Sequence, residues 1–129
     1  MKLSQHFTSE EFECRCGCGF GRAHGDIDED LIKFLESVRV FYGPMVVNSG
    51  CRCTYHNGVE GGHQDSPHLR GTAADIRVIG STDRGRINSA IMTAAVLGGV
   101  VDDLGIGWGK TFVHIDLDKK LERPRAWTY

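Results

Sequence analysis

TFVHIDL, residues 111–117, alternates apolar and polar side chains with a period of two. Successive side chains of a strand point to opposite faces, so Val113, Ile115 and Leu117 share one face. Phe112, His114 and Asp116 share the other. One aliphatic face supplies a core; the opposite face carries a histidine and a carboxylate. That division makes the segment a sheet strand with chemistry available on its far side.

Working outward, DDLGIGWG (102–109) leads into this strand, and AADIRVI (73–79) reads as another. MVVN (45–48) is a third, short one that runs into the turn SGC. Between them lie two helical patterns. From Asp26 to Tyr42 the apolar residues Ile27, Leu31, Phe34, Leu35, Val38 and Phe41 recur at helical spacing. Asp26, Asp28, Glu29 and Asp30 sit at its start, where the helix dipole favours negative charge, and Gly43-Pro44 ends it. A second helix is expected over about Asp83–Leu97, capped by Ser81 or Thr82, with Ile87, Ala90, Ile91, Ala94 and Leu97 on one face. FTSEEF (7–12) reads as a short turn capped by Thr8 or Ser9 and stapled by Phe7 and Phe12. Residues 14–25 form a Cys- and Gly-rich loop, 54–72 a long loop of the kind that usually carries function, and the tail 119–129 reads as irregular. The sum is a single α+β domain over residues 1–129, with a small, mostly antiparallel sheet flanked by helices.

Bulk properties narrow the function. The chain has 129 residues, a formal net charge of −2 and 25% charged residues of both signs. No basic patch marks a nucleic-acid partner, and no apolar run reaches the ~18 residues of a membrane span. A monomer is expected. The start, MKLSQHFTSEEF, has one lysine and no apolar region of the Sec type. The expectation is therefore synthesis in the cytoplasm without a signal peptide.

Five cysteines fall in two clusters, Cys14, Cys16 and Cys18 in CRCGC and Cys51 and Cys53 in CRC. Three readings stand open: reduced thiols, a metal site shared by the clusters, or disulfides. The C-x-C spacing is tighter than the C-x₂₋₄-C of common zinc sites.

His114 alone is ordinary. SPHLRGTAADIRV (66–78) adds His68 in a loop, Gly71 as a turn and Asp75 at the start of a strand. A loop histidine, a strand carboxylate and a histidine from another strand make the three-ligand pattern of catalytic zinc, which keeps its fourth position open. By spacing alone H-x₆-D is a weak signal.

SPHLRGTAADI matches the pattern S-x-H-x-x-G-x-A-x-D-[IV] of the zinc D-alanyl-D-alanine carboxypeptidase family. That family includes vancomycin-resistance dipeptidases and phage endolysins, and shares its fold with the hedgehog signalling domain. VNSGCRCTYHN (47–57) resembles its S-G-[YF]-R-x-x-x-x-N segment, and FVHIDL its closing H-[VI]-D strand. HFTSEEFECRCGCG (6–19) is similar to the small phage and prophage members.

The resemblance implies Zn²⁺ held by His68, Asp75 and His114, and substrate contacts from Ser66 and Arg52. Arg52 would also stabilise the developing oxyanion, and Trp108 is a candidate wall of the substrate groove. The implied substrate is a peptidoglycan stem peptide cut next to a D-amino acid, by a carboxypeptidase or an endolysin-type endopeptidase. The implied setting is the cell wall, reached by phage-type release or on a virion.

One departure stands out. Many relatives carry Glu or Asp three residues before the last histidine ligand, where this chain has Thr111. Asp116 is the nearest substitute as general base, or else orients a ligand; His63 is a further candidate. His56 and Asp65 read as plain loop residues, and His6 and His24 as unpartnered. The departure keeps two alternatives open: a non-catalytic zinc module of the same fold, and a structural phage component that only binds the wall.

Overall fold

The computed structural model describes residues 1–129. Four helices, α1 (Ser9–Phe12), α2 (Glu29–Tyr42), α3 (Thr54–Val59) and α4 (Gly80–Gly98), alternate with five strands. The strands are β1 (Val47–Ser49), β2 (Ala73–Arg77), β3 (Gly105–Trp108), β4 (Phe112–Asp116) and β5 (Arg125–Thr128). They form one sheet in the order β1-β2-β4-β3-β5. Every pairing is antiparallel except β3 with β5, which is parallel. The fold is the expected α+β type.

The alternation of the central strands divides the molecule. Ala74 and Ile76 of β2, Val113 and Ile115 of β4 and Ile106 of β3 join one core. Leu31, Phe34, Leu35 and Val38 of α2 and Ile87 and Ile91 of α4 complete it. Each such fully buried aliphatic side chain contributes about 1.5–3 kcal/mol relative to an exposed one. The opposite faces of β2 and β4 stay polar.

Helix limits follow from their caps. α2 starts at Glu29, later than the apolar pattern, because the Asp28 carboxylate accepts the Leu31 N–H at 3.2 Å. Asp26 is committed elsewhere: its carboxylate accepts the N–H groups of Gly21 and Ala23 in the preceding loop. α4 starts earlier than expected, at Gly80, because Asp83 reaches back to accept the Ile79 N–H at 2.8 Å. Its buried stripe ends in Ala94 and Ala95, and Leu97, expected on that stripe, is 73% exposed. The Thr8 turn forms as expected. Glu11 accepts the Thr8 N–H, and Phe7 meets Phe12 edge-on with ring centroids 5.8 Å apart.

Three expectations are corrected. The segment 54–72 is not one loop: it holds α3 and a 3₁₀ turn, Pro67–Arg70. The tail is not irregular either, because Arg125–Thr128 adds β5 to the β3 edge, with Trp127 beside Gly107. Nor is His6 unpartnered; its ring pairs with Glu36 at 2.7 Å. No helix is long and apolar enough to cross a membrane.

Candidate metal centre

Ser66 starts the 3₁₀ turn by accepting the His68 N–H on its hydroxyl at 3.2 Å. Gly71 ends it in the left-handed region, φ 68°. A side chain there would lie 1.8 Å from the Asp26 carbonyl oxygen, so only glycine fits. The chain then turns directly into β2, which carries Asp75. In the antiparallel register Asp75 faces His114 of β4, and both point away from the core.

Three atoms converge there. Asp75 Oδ1 lies 3.1 Å from His68 Nε2 and 3.1 Å from His114 Nδ1, and all three residues are buried. The outward nitrogens are both engaged. His68 Nδ1 lies 2.6 Å from the Gly50 carbonyl oxygen, and His114 Nε2 lies 2.7 Å from Asp116 Oδ2. A proton on each outward nitrogen leaves the inward lone pairs free, the arrangement metal-ligating histidines need. Donors around tetrahedral zinc, at ~2.0–2.2 Å from the ion, sit about 3.3 Å apart. The set therefore fits zinc in both chemistry and spacing.

Its electrostatics are tightly coupled. Burial raises the Asp75 carboxyl pKa, but hydrogen bonds from His114 and His68 outweigh it and hold the group below the usual carboxylate range. For His114 burial disfavours the imidazolium, yet Asp116 and Asp75 outweigh that and push its pKa up. These directions describe the protein without metal, in which His68, Asp75 and His114 share protons where a cation would otherwise sit.

Arg52 approaches the same carboxylate from the other side. Its Nη2 donates to Asp75 Oδ2 at 3.1 Å, Nε to Ser49 Oγ at 3.0 Å and Nη1 to Asn57 Oδ1 at 3.2 Å. The Arg52 backbone N–H donates to the His68 carbonyl at 3.0 Å. The CRC turn and the 3₁₀ turn are thereby locked together.

Asp116 lies behind His114, not in front of it. It is fully buried, at 0% exposure. Arg123 donates to both its oxygens, at 2.8 and 2.7 Å, and the Asp118 N–H donates to Oδ1 at 3.2 Å. Burial raises its pKa, but the bonds from His114 and Arg123 bring it down to about 2. Its geometry is that of a group orienting His114, the second of the two roles expected of it.

Trp108 lies on the other side of the sheet. It pairs with Val113 in the β3–β4 register, so it shares the core face and packs against the core. The aromatic wall of the site is Trp127 instead, 5.3 Å from the His114 ring. Gly107 and Gly105 make room for this wall. A side chain on Gly107 would meet the Trp127 ring at 2.6 Å, and one on Gly105 would meet Asp116 and Arg123 at 2.5 Å. No alternation in RAWT marks this wall in the sequence, so the tail cannot be placed from it.

The site opens into a cavity of about 860 Å³. Arg15, Arg52, Arg123 and Arg125 line it, against Glu60, Asp65 and Asp75. Asp65 is already bound by Arg70 at 2.7 Å and Lys120 at 2.9 Å. Arg125 has no carboxylate within ion-pair distance and borders Trp127. Ser66, His56 and His63 line the cavity too; His63 is exposed, and its Nδ1 accepts the Asp65 N–H at 3.1 Å. Thr111 is exposed and does not line it.

A family model described as Peptidase M15 matches residues 5–116. No curated protein matches the chain.

Proposed function

The chain belongs to the peptidase M15 family, and on that premise we propose a zinc-dependent hydrolase of peptidoglycan stem peptides, cutting next to a D-amino acid. One observation carries the reading. Two buried imidazoles and one carboxylate converge within 4.8 Å at the floor of an arginine-lined cavity. His68, Asp75 and His114 would hold zinc, which when bound supplies a Lewis acid for the scissile carbonyl and lowers the pKa of water.

The chain's own residues do the rest. Gly50 and Asp116 fix the two imidazole tautomers. Ser49, Asn57 and Asp75 hold the Arg52 guanidinium with three of its donors. Two of the five N–H donors of an arginine are then left for the carbonyl oxygen as it becomes negative. Stem peptides present free carboxylates, which the unpaired Arg125 suits. Trp127 screens His114 from water on one side. His63 lines the cavity with Nδ1 accepting from the Asp65 N–H, which leaves its Nε2–H as a hydrogen-bond donor to substrate.

A protein of this kind acts at the cell wall, after phage-type release or on a virion. A second reading, a zinc module that binds wall without cutting it, is favoured by one observation: the sealed position of Asp116 withdraws the carboxylate next to His114 from use as a base. Digestion of purified sacculi, with fragments identified by mass, separates the two. Release of D-Ala or stem-peptide fragments, lost with EDTA and restored by Zn²⁺, supports the enzyme. Stoichiometric zinc without any fragment supports the module, and intact cleavage by His68→Ala sinks the assigned centre.

A further inference from the structure

We propose that Cys14, Cys16, Cys18 and Cys53 form a second, structural metal site that takes one tetrahedral zinc ion. Their sulfurs all lie within 4.8 Å of one another. Cys14 and Cys16 are 3.5 Å apart, Cys16 and Cys53 3.6 Å, and Cys14 and Cys53 3.9 Å. Four thiolates around zinc at ~2.3 Å have edges of about 3.8 Å. The separations match that tetrahedron. They exceed the ~2.05 Å of a disulfide, and all five cysteines are free thiols. An all-sulfur tetrahedral set selects zinc among the hard and borderline divalent cations.

Backbone N–H groups point at two of these sulfurs. The Cys53 N–H donates to Cys14 Sγ at 3.4 Å, and the His56 N–H to Cys53 Sγ at 3.4 Å. Cys51 lies outside the set: it is buried in the core with its sulfur against the Asp26 carbonyl. The odd cysteine count thus resolves into four ligands and one core residue.

The loop needs such a clamp. Of residues 15–26 only Phe20 packs against the core, and it is only partly buried, so little apolar packing holds the loop; small or loop-rich segments of this sort are commonly stapled by a metal. The clamp also bears on the peptidase centre without belonging to it. Arg15, which lines the cavity, sits between Cys14 and Cys16, and Arg52 immediately precedes Cys53. One ion would fix the backbone positions of two cavity arginines.

The test needs no peptidase activity. Wild-type protein and a His68→Ala/His114→Ala variant are purified from zinc-containing medium under reducing conditions, and metal is counted per chain. Two zinc ions in the wild type and one in the variant are expected. Cobalt substitution of the variant should give sulfur-to-cobalt charge-transfer absorption, abolished by Cys16→Ser. Should a variant fail to fold, the wild type alone decides. Exposed Cys16 and Cys18 should resist alkylation in zinc-loaded native protein and react once a chelator is added. Rapid alkylation of zinc-loaded protein, a disulfide among these cysteines by mass, cobalt spectra without the sulfur band, or iron in place of zinc would each overturn the assignment.

Discussion

Asp75 and His114 face each other across neighbouring antiparallel strands, with Oδ1 3.1 Å from Nδ1. Asp75 spends its other oxygen on Arg52 at 3.1 Å, and His114 its other nitrogen on Asp116 at 2.7 Å. One strand pairing therefore carries two of the three candidate metal ligands and Asp116, which orients one of them.

Asp116→Asn should weaken zinc binding by about 10–100-fold, because His114 loses a charged partner and Arg123 a carboxylate. Competition with a chromophoric chelator reads the affinity. At saturating zinc, cleavage should fall far less than the affinity does. Abolished cleavage at full zinc occupancy would instead restore Asp116 as the base.

Arg52→Ala should lower kcat/KM on stem peptides by about 10²–10³-fold, the scale of one lost oxyanion donor. Zinc content should stay near the wild-type value, since Arg52 contacts a ligand but is not one. A variant with normal kcat and only a raised KM would assign Arg52 to ground-state binding.

His63→Ala is expected to reduce kcat by about 5–10-fold, the scale of one lost hydrogen bond to substrate, with zinc and melting temperature unchanged. Wild-type kcat in this variant would remove His63 from the reaction.

The two tryptophans should separate cleanly. Trp127→Ala opens the wall beside His114 and should change kcat and KM with little loss of stability. Trp108→Ala removes packing from the core face and should cost about 2 kcal/mol in denaturant melts, while leaving KM alone. A reversal of the two patterns would refute the placement of the site on the far side of the sheet.

Asp118 offers a pH test away from the metal. Burial raises its carboxyl pKa, but Arg70 at 2.8 Å and Thr72 at 2.9 Å lower it further than burial raises it. A depressed folded pKa stabilises the fold above the unfolded value of about 3.9 and ceases to as pH falls through the folded value. Asp118→Asn should therefore be less stable than wild type at pH 7, by about 2 kcal/mol for lost charged hydrogen bonds. The gap should narrow below about pH 4. A gap that stays constant with pH in urea melts would show that the charge of Asp118 contributes nothing.

Local information carried far in this chain. The period-two pattern of residues 111–117 assigns Val113 and Ile115 to a core and His114 to the other face, because strand geometry permits nothing else. Capping chemistry locates α2 to within a few residues. His68, Asp75 and His114 are legible as a ligand set through the resemblance; the sheet register brings Asp75 opposite His114, and the 3₁₀ turn brings His68 to both.

What the sequence left open depends on pairings between distant segments. Whether the tail becomes β5, and so whether Trp127 or Trp108 faces the site, is decided by an edge-strand pairing that no periodicity in RAWT encodes. Whether Asp116 meets water or Arg123 depends on where that tail lies. Which four of five identical thiols meet is settled when the Gly-rich loop folds onto the CRC turn. Local patterning specifies which face a side chain takes; only long-range packing specifies what waits there.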